Sequence, residues 1–144
     1  MQSEARFLIL RVDHPAPLTQ ATFRPESRAE EFSFITCATN GEVRMIRGGA
    51  TDSTARSNVV LEPRHPGPAL AAKWSANGRW LATIGGGEVL LWDGTNEIPV
   101  ARVRLTGLPP GTSRVEFSAD STLLATYGGD NNVALWDLAE IPAR

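Results

Sequence analysis

The chain has 144 residues, of which 42% are hydrophobic, and its formal net charge at pH 7 is −2. This length and composition predict a soluble globular protein with a hydrophobic core rather than a disordered chain. The small charge gives no electrostatic reason to expect nucleic acid or an anionic membrane as a partner. Cys37 is the only cysteine, which excludes an internal disulfide and a cysteine-based metal cluster.

Membrane and export signals are not visible in the sequence. No apolar run approaches the roughly 20 residues that a helix needs to cross a bilayer. The first twelve residues have too short an apolar stretch, and the acidic Glu4 comes too early, for a signal peptide. We therefore expect a cytoplasmic protein with no membrane partner.

The first predicted elements are short strands, found at residues 6–12, 18–24, 58–62 and, as a hairpin, within 35–47. The hairpin sequence is ITCATNGEVRMIR, and its Asn40-Gly41 pair favours a tight turn. The segment from 48 to 57 has loop composition. Residues 6–12, RFLILRV, have the pattern of a strand at the outer edge of a sheet, but no other strands of that sheet precede them in the sequence.

A second group of strands is predicted at residues 69–74, 80–84, 88–92 and 98–105. In the last of these, Ala101, Val103 and Leu105 alternate with Arg102 and Arg104. A period of two with one polar face is typical of a half-buried strand.

The third group comprises predicted strands at residues 112–117, 122–127 and 132–136. A cluster of glycine, asparagine and aspartate at 128–132 lies before the last strand and supplies the positive φ angles of a hairpin turn. The sequence predicts twelve strands in total and no helix.

The second and third groups end in versions of one pattern. LATIGGGEVLLWD occupies residues 81–93 and LATYGGDNNVALWD occupies 124–137, which places Trp92 and Trp136 44 residues apart. Residues 35–47 align under 81–93 without a gap. A period of about 40–45 residues that ends in Trp-Asp is the signature of one four-stranded propeller blade.

Histidines support the same register. His14 precedes Phe23 by nine residues and His65 precedes Trp74 by nine, whereas the third group has Leu108 nine residues before Phe117. The chain resembles three degenerate WD repeats of a β-propeller, and the resemblance covers nearly all of residues 6–137. It implies an all-β fold of three four-stranded blades of the WD-repeat type.

The implied blades span about residues 18–62, 69–105 and 112–137, all within one segment of 1–144. The third would be completed by an outer strand such as 6–12, either of the same chain or of another copy. Propellers typically have about 4–8 blades, and three cannot close into a ring. We therefore expect an incomplete propeller or a protomer of a ring assembled head-to-tail from two or three copies.

The resemblance also implies a structural network of hydrogen bonds within each blade, formed by a His, a Ser or Thr, an Asp and the Trp. No unit here is complete. The second has His65, Thr83 and Trp92 but Gly86 at the Asp position; the third has Thr126, Asp130 and Trp136 but Leu108; the first has His14 but Cys37, Asn40 and Ile46. A partial network leaves polar groups that must find backbone or water, so we expect apolar packing to hold the blades and the propeller to be less rigid.

Other chemistries are not supported. Gly85, Gly86 and Gly87 lack the Lys-Ser/Thr of a phosphate loop and precede a strand instead of a helix. The repeat register accounts for both histidines without a metal or a general base. We expect no catalytic residues, no cofactor and no metal, and thus no enzyme.

The loops between blades and the hairpins within them should share one face of the propeller. We predict an interaction face there with Thr19, Asn40, Pro66, Pro68, Glu88, Pro109, Arg114 and Asn131. Its proline-rich, weakly charged composition favours a protein or peptide partner. We therefore expect a non-catalytic protein-interaction scaffold or sensor segment. The alternatives are an accessory propeller lining the substrate path of a separate catalytic domain and a purely structural, self-assembling ring.

Overall fold

The structure is a computed structural model that describes residues 8–52, 54–129 and 131–142. Within these ranges the chain forms eleven strands and one short 3-10 turn. The strands are β1 (Leu18–Phe23), β2 (Phe32–Ala38), β3 (Val43–Gly48), β4 (Ser57–Val60), β5 (Ala69–Trp74), β6 (Trp80–Gly85), β7 (Glu88–Asp93), β8 (Val100–Leu105), β9 (Arg114–Phe117), β10 (Leu123–Tyr127) and β11 (Ala134–Asp137). They make three antiparallel sheets.

The first two sheets are four-stranded meanders, in the orders β1-β2-β3-β4 and β5-β6-β7-β8. Both orders agree with the predicted blades. Each strand pairs with the next along the chain because short hairpins join antiparallel neighbours. We call these sheets blade 1 and blade 2.

Blade 3 has three strands among the described residues, in the order β11-β10-β9, and these lie within the three strands predicted between residues 112 and 137 or differ from them by one residue. The predicted outer strand at 6–12 forms no strand over its described part, residues 8–12; residues 6 and 7 lie outside the described ranges. After β11, a 3-10 turn at Leu138–Glu140 is capped by Asp137, whose carboxylate accepts from the amide of Ala139 at 2.9 Å. Of the described helical segments, none is long and apolar enough to cross a membrane.

The core consists of two hydrophobic clusters, one between each pair of neighbouring blades. The cluster between blades 1 and 2 contains Ile35, Cys37, Val43, Met45, Leu61, Ala69, Ala72, Trp74, Leu81, Leu90 and Trp92. The cluster between blades 2 and 3 contains Ala71, Trp80, Ala82, Ile84, Val89, Leu91, Val115, Phe117, Leu124 and Leu138. Alternate residues of a strand point to opposite faces, so blade 2 contributes to both clusters.

We call the side of a blade that faces the preceding blade its near face and the opposite side its far face. In blade 2, Trp74 and Trp92 lie on the near face and Ile84 and Leu91 on the far face. The near face of blade 1 and the far face of blade 3 have no neighbouring blade in the described chain.

Candidate protein-interaction site

The loop that enters each blade meets the hairpin of that blade, and the loop that enters blade 2 also meets the hairpin of blade 1. The amide of His65 donates to the carbonyl of Gly41 at 3.1 Å, which joins the loop before β5 to the β2–β3 hairpin. The amide of Thr39 donates to the carbonyl of Pro17 at 2.9 Å in the same way within blade 1. These contacts bring the loops that enter blades 1 and 2 together with the β2–β3 hairpin, and we call this side of the blades the loop face.

Two glycines allow this close packing. A Cβ on Gly41 would lie 2.4 Å from the carbonyl oxygen of His65, and one on Gly86 would lie 2.6 Å from Cγ of Pro66. Gly86 and Gly87 have φ angles of 60° and 82°, as a type I′ hairpin requires. The glycine run therefore forms a hairpin turn against the Pro66 ring.

In blade 2 the side chains of His65, Thr83 and Trp92 are hydrogen-bonded although Gly86 replaces the aspartate. The indole N–H of Trp92 donates to Oγ1 of Thr83 at 2.9 Å, and Nε2 of His65 lies 2.8 Å from the same oxygen. Nδ1 of His65 lies 3.1 Å from the carbonyl of Gly85. A carbonyl only accepts, so Nδ1 carries the proton and Nε2 accepts from the Thr83 hydroxyl. One ring nitrogen of His65 thus bonds to a backbone carbonyl and the other to a side chain.

Burial keeps the imidazole of His65 neutral. The side chain is 4% exposed, and desolvation lowers its pKa below the usual value; the Gly85 carbonyl and Glu88 act against this shift, and Arg104 adds to it. Both ring nitrogens of this neutral histidine are hydrogen-bonded within blade 2, and its structural role stays a prediction.

Blade 1 corrects one predicted position. Nε2 of His14 lies 3.0 Å from Oγ1 of Thr36, so Thr36 occupies the position that the gapless alignment gives to Cys37. The hairpin explains the shift: Thr36 pairs with Arg44, eight residues later, whereas Thr83 pairs with Leu90, seven residues later. The first hairpin is therefore one residue longer, and β2 is displaced by one position relative to β6.

Cys37 consequently faces blade 2 instead of His14. It is fully buried, and desolvation raises the pKa of its thiol to about 12. The thiol is thus protonated at neutral pH and packs as a small hydrophobic group. The Nδ1 of His14 is buried without a hydrogen-bond partner among the described residues.

In blade 3 the indole N–H of Trp136 donates to Oγ1 of Thr126 at 3.1 Å. Thr126 pairs with Ala134, eight residues later, so this hairpin has the length of the first one. Asp130 lies outside the described residues, and its predicted place in the network stays a prediction. Leu108 packs at the edge of the second core cluster.

The predicted interaction residues differ in how accessible they are. Asn40, Pro66, Pro68, Arg114 and Asn131 are exposed, and Pro109 is half-buried. The side chain of Thr19, although exposed, donates to the Ala69 carbonyl at 2.6 Å and thereby joins blades 1 and 2. Glu88 is 8% exposed and pairs with Arg104 at 2.8 Å, so its carboxylate stabilises blade 2.

Two apolar surfaces lie outside the loop face, and we did not predict their residues individually. On the near face of blade 1, Phe23 is 64% exposed and packs edge-on against Phe34 at 5.7 Å. On the far face of blade 3, Val133 and Leu135 are 61% and 66% exposed. The alternation of each strand would have identified both surfaces, because it places these exposed side chains opposite the half-buried ones.

Arg24 is a further residue that the sequence did not single out. Its guanidinium donates to the carbonyls of Gly94, Asn96 and Glu97, which follow β7, and lies 5.0 Å from the ring centre of Trp74. One side chain of blade 1 thus holds a loop and a core residue of blade 2. Burial and the nearby Arg47 lower the pKa of Arg24, whereas Glu97 raises it.

The described side chains include no group of three or more His, Cys, Asp and Glu that could hold a metal ion. The polar groups of the loop face bond mainly to backbone and to each other. Chemically, the arrangement offers hydrogen-bonding loops and apolar patches, which are the means of binding a protein or a peptide.

The family model described as "WD domain, G-beta repeat" matches residues 110–137, which include all of β9, β10 and β11. The crystal structure of RRP9 WD40 repeats superposes on the chain with a TM-score of 0.70 at 18% identity, over 90% of this chain and 38% of that one. Residues 110–137 thus match a WD repeat, and the chain has the fold of WD40 repeats. The superposition itself shows the fold alone, because the identity is low.

Curated relatives are WD-repeat and HIR1 proteins. The chain is 34% identical over 89 residues to Protein HIR1 of Cryptococcus neoformans var. neoformans, covering 51% of this chain and 10% of that protein. It is 26% identical over 132 residues to WD repeat-containing protein 70 of Xenopus laevis, covering 87% of this chain and 20% of that protein. The WD-repeat chain thus spans a fifth or less of these relatives.

Proposed function

We propose that this WD-repeat chain is a non-catalytic protein-interaction scaffold or sensor segment. It closes a propeller by head-to-tail self-assembly, as a dimer or trimer, or as part of a larger propeller. The observation that supports this is the pair of open apolar faces at its two ends. Contiguous exposed apolar surface on a soluble domain is typical of a protein interface.

The two open faces correspond to faces that are already packed inside the chain. Phe23 occupies the position of Trp74, which lies in the core between blades 1 and 2. Val133 and Leu135 occupy the positions of Val43 and Met45, which lie on the other side of that core. The far face of blade 3 is therefore suited to the near face of another first blade, and repeated contacts of this kind generate a ring if the rotation closes.

The loop face is the proposed docking site for a protein or peptide. Pro66 and Pro68 are exposed, and their rings limit the entropy that the loop loses on binding. The chain has a net charge of −2, so we propose a weakly charged protein partner, in the cytoplasm, instead of nucleic acid or a membrane.

The test uses one charged variant at each open face. Phe23→Asp and Leu135→Asp each introduce a charge at a side chain that is more than half exposed, so each variant should fold as the unmodified chain does. If assembly is head-to-tail, every interface between two copies of the same variant contains one introduced Asp. An equimolar mixture can instead form one intact interface, between Leu135 of one copy and Phe23 of the other.

We expect light scattering to show monomers for each variant alone and a heterodimer for the mixture. Thr106→Asp, an exposed position between blades 2 and 3, is the matched charge control and should associate like the unmodified chain. Association of either face variant alone at unchanged affinity would refute head-to-tail self-assembly.

A further inference from the structure

We propose that the free edge of β11 binds residues 8–10 of a second copy as the fourth strand of blade 3. This inference rests on the head-to-tail assembly proposed above and adds to it a main-chain pairing with a defined register. The partner it names for the β11 edge is an apolar, extended segment of this same chain.

The free edge of β11 has unpaired backbone groups on alternate residues. The amide of Leu138 donates to the carbonyl of Thr122, which continues the pairing of Trp136 with Leu124. In an antiparallel strand the alternate residues point their N–H and C=O groups the other way. Those of Val133 and Leu135 therefore face outward, where the described chain provides no strand.

Blade 1 shows what a fourth strand does at this position. β4 pairs with β3, and the amide of Leu61 donates to the carbonyl of Val43 at 2.8 Å. The Leu61 side chain is 1% exposed and lies in the core between blades 1 and 2. The fourth strand thus adds both backbone hydrogen bonds and an apolar side chain to the interface.

The repeat register transfers this pairing to residues 8–10. Leu61 lies four residues before His65, and Leu10 lies four residues before His14. On the accepting side, Val43 lies seven residues after Thr36, and Val133 lies seven after Thr126. The amide of Leu10 in one copy should therefore donate to the carbonyl of Val133 in the other, with Leu10 buried as Leu61 is.

Residues 8–12 are loosely held in the single chain. They lie against the near face of blade 1, where Leu8, Ile9, Leu10 and Val12 line a cavity of about 570 Å³ together with Phe23 and Phe34. Leu10 and Val12 are half-buried, whereas Leu8 is 54% exposed. Among the described residues the backbone of this segment makes no hydrogen bond, so its departure breaks no sheet pairing.

The departure of this segment also uncovers the surface that the incoming blade needs. While residues 8–12 lie over Phe23 and Phe34, they occupy the place of a preceding blade. When they pair with β11 of a second copy, that copy's far face can pack on the exposed rings. Strand pairing and face packing are therefore one docking event.

The test compares two proline variants of the full chain. Leu10→Pro removes the amide that should donate to Val133, and it should weaken association at least fivefold, because each such bond contributes about 1 kcal/mol. Ile9→Pro is the matched control, because the amide of Ile9 points away from β11 in the proposed pairing. Its loss should change the dissociation constant less than twofold. Association is measured by light scattering against concentration, and urea unfolding of each monomer confirms folding.

Amide hydrogen exchange of the unmodified chain tests the strand pairing independently. The amide of Leu135 should exchange more slowly at concentrations that form the assembly. Equal association of both proline variants, or an unprotected Leu135 amide in the assembly, would overturn the strand exchange. If that happened while the Phe23→Asp and Leu135→Asp variants still complemented each other, head-to-tail packing would stand without it.

Discussion

Thr83 connects three elements of blade 2 through one hydroxyl, which accepts from Trp92 and donates to His65. Thr83→Val keeps the shape of the side chain but leaves the indole N–H of Trp92 and Nε2 of His65 buried without a partner. Since each unsatisfied buried group costs about 1–3 kcal/mol, we expect a loss of about 3 kcal/mol in the free energy of unfolding, measured in urea.

Thr126→Val is the comparison for this change, because Thr126 has the Trp136 indole as its partner and Leu108 replaces the histidine. It should cost about half as much as Thr83→Val. Equal losses at the two positions would mean that the hydrogen bond between His65 and Thr83 contributes nothing to stability.

The lowered pKa of His65 predicts a pH dependence. The unfolded chain binds this proton below about pH 6.5, whereas the folded chain resists it to lower pH because the ring is buried. The contribution of His65 is therefore complete above pH 6.5 and is lost as pH falls through the folded pKa. We expect the urea midpoint to fall between pH 7.5 and pH 5.5, and to fall less in His65→Gln. An identical fall in both proteins would contradict this account.

The resemblance to WD repeats, carried over by register, pointed to most of these residues. It implied His65, Thr83 and Trp92 as one network, and His65 and Trp92 both hydrogen-bond to the hydroxyl of Thr83. Thr36 was missed because a gapless alignment cannot show that one hairpin is a residue longer. The carbonyl of Gly85 was missed for a different reason: a backbone acceptor has no side chain to mark it.

At the scale of the element, Arg24 joins blade 1 to the turn after β7. Arg24→Lys retains the charge but loses the planar fork that reaches several carbonyls and stacks on Trp74. We expect a loss of about 1–2 kcal/mol in the free energy of unfolding, measured in urea at low and high salt.

Geometry, and not charge, should account for that loss. It should therefore persist at 0.5 M salt, where interactions between exposed charges are screened. Arg28→Lys, at an exposed arginine in the loop before β2, is the matched control and should change stability little. A loss that disappears at high salt would assign the role of Arg24 to its charge.

Strands were predictable where the pattern of the repeat fixed them. All four strands of blade 2 lie where the sequence indicates, with bounds that differ by two residues or fewer. Residues 6–12 have the same apolar character, yet their described part is not a strand. A strand requires a paired edge, and a propensity for extended backbone cannot state which edge a segment will meet.

At the scale of the whole molecule, three stacked blades bury two interfaces and leave two faces open. The repeat period predicted the number of blades, and the typical size of propellers predicted that three do not close. The repeat period alone does not state whether a second copy or further blades cover the two open faces. Stability in such arrays comes from neighbouring interfaces, so covering the ends should stabilise all three blades together.

The most direct test of the central claim is the absolute mass of the chain in solution, measured by light scattering after size exclusion over a range of concentrations. We predict a mass of two or three chains of 15.5 kDa, formed more completely as concentration rises. The mass of a single chain at every concentration would contradict head-to-tail closure.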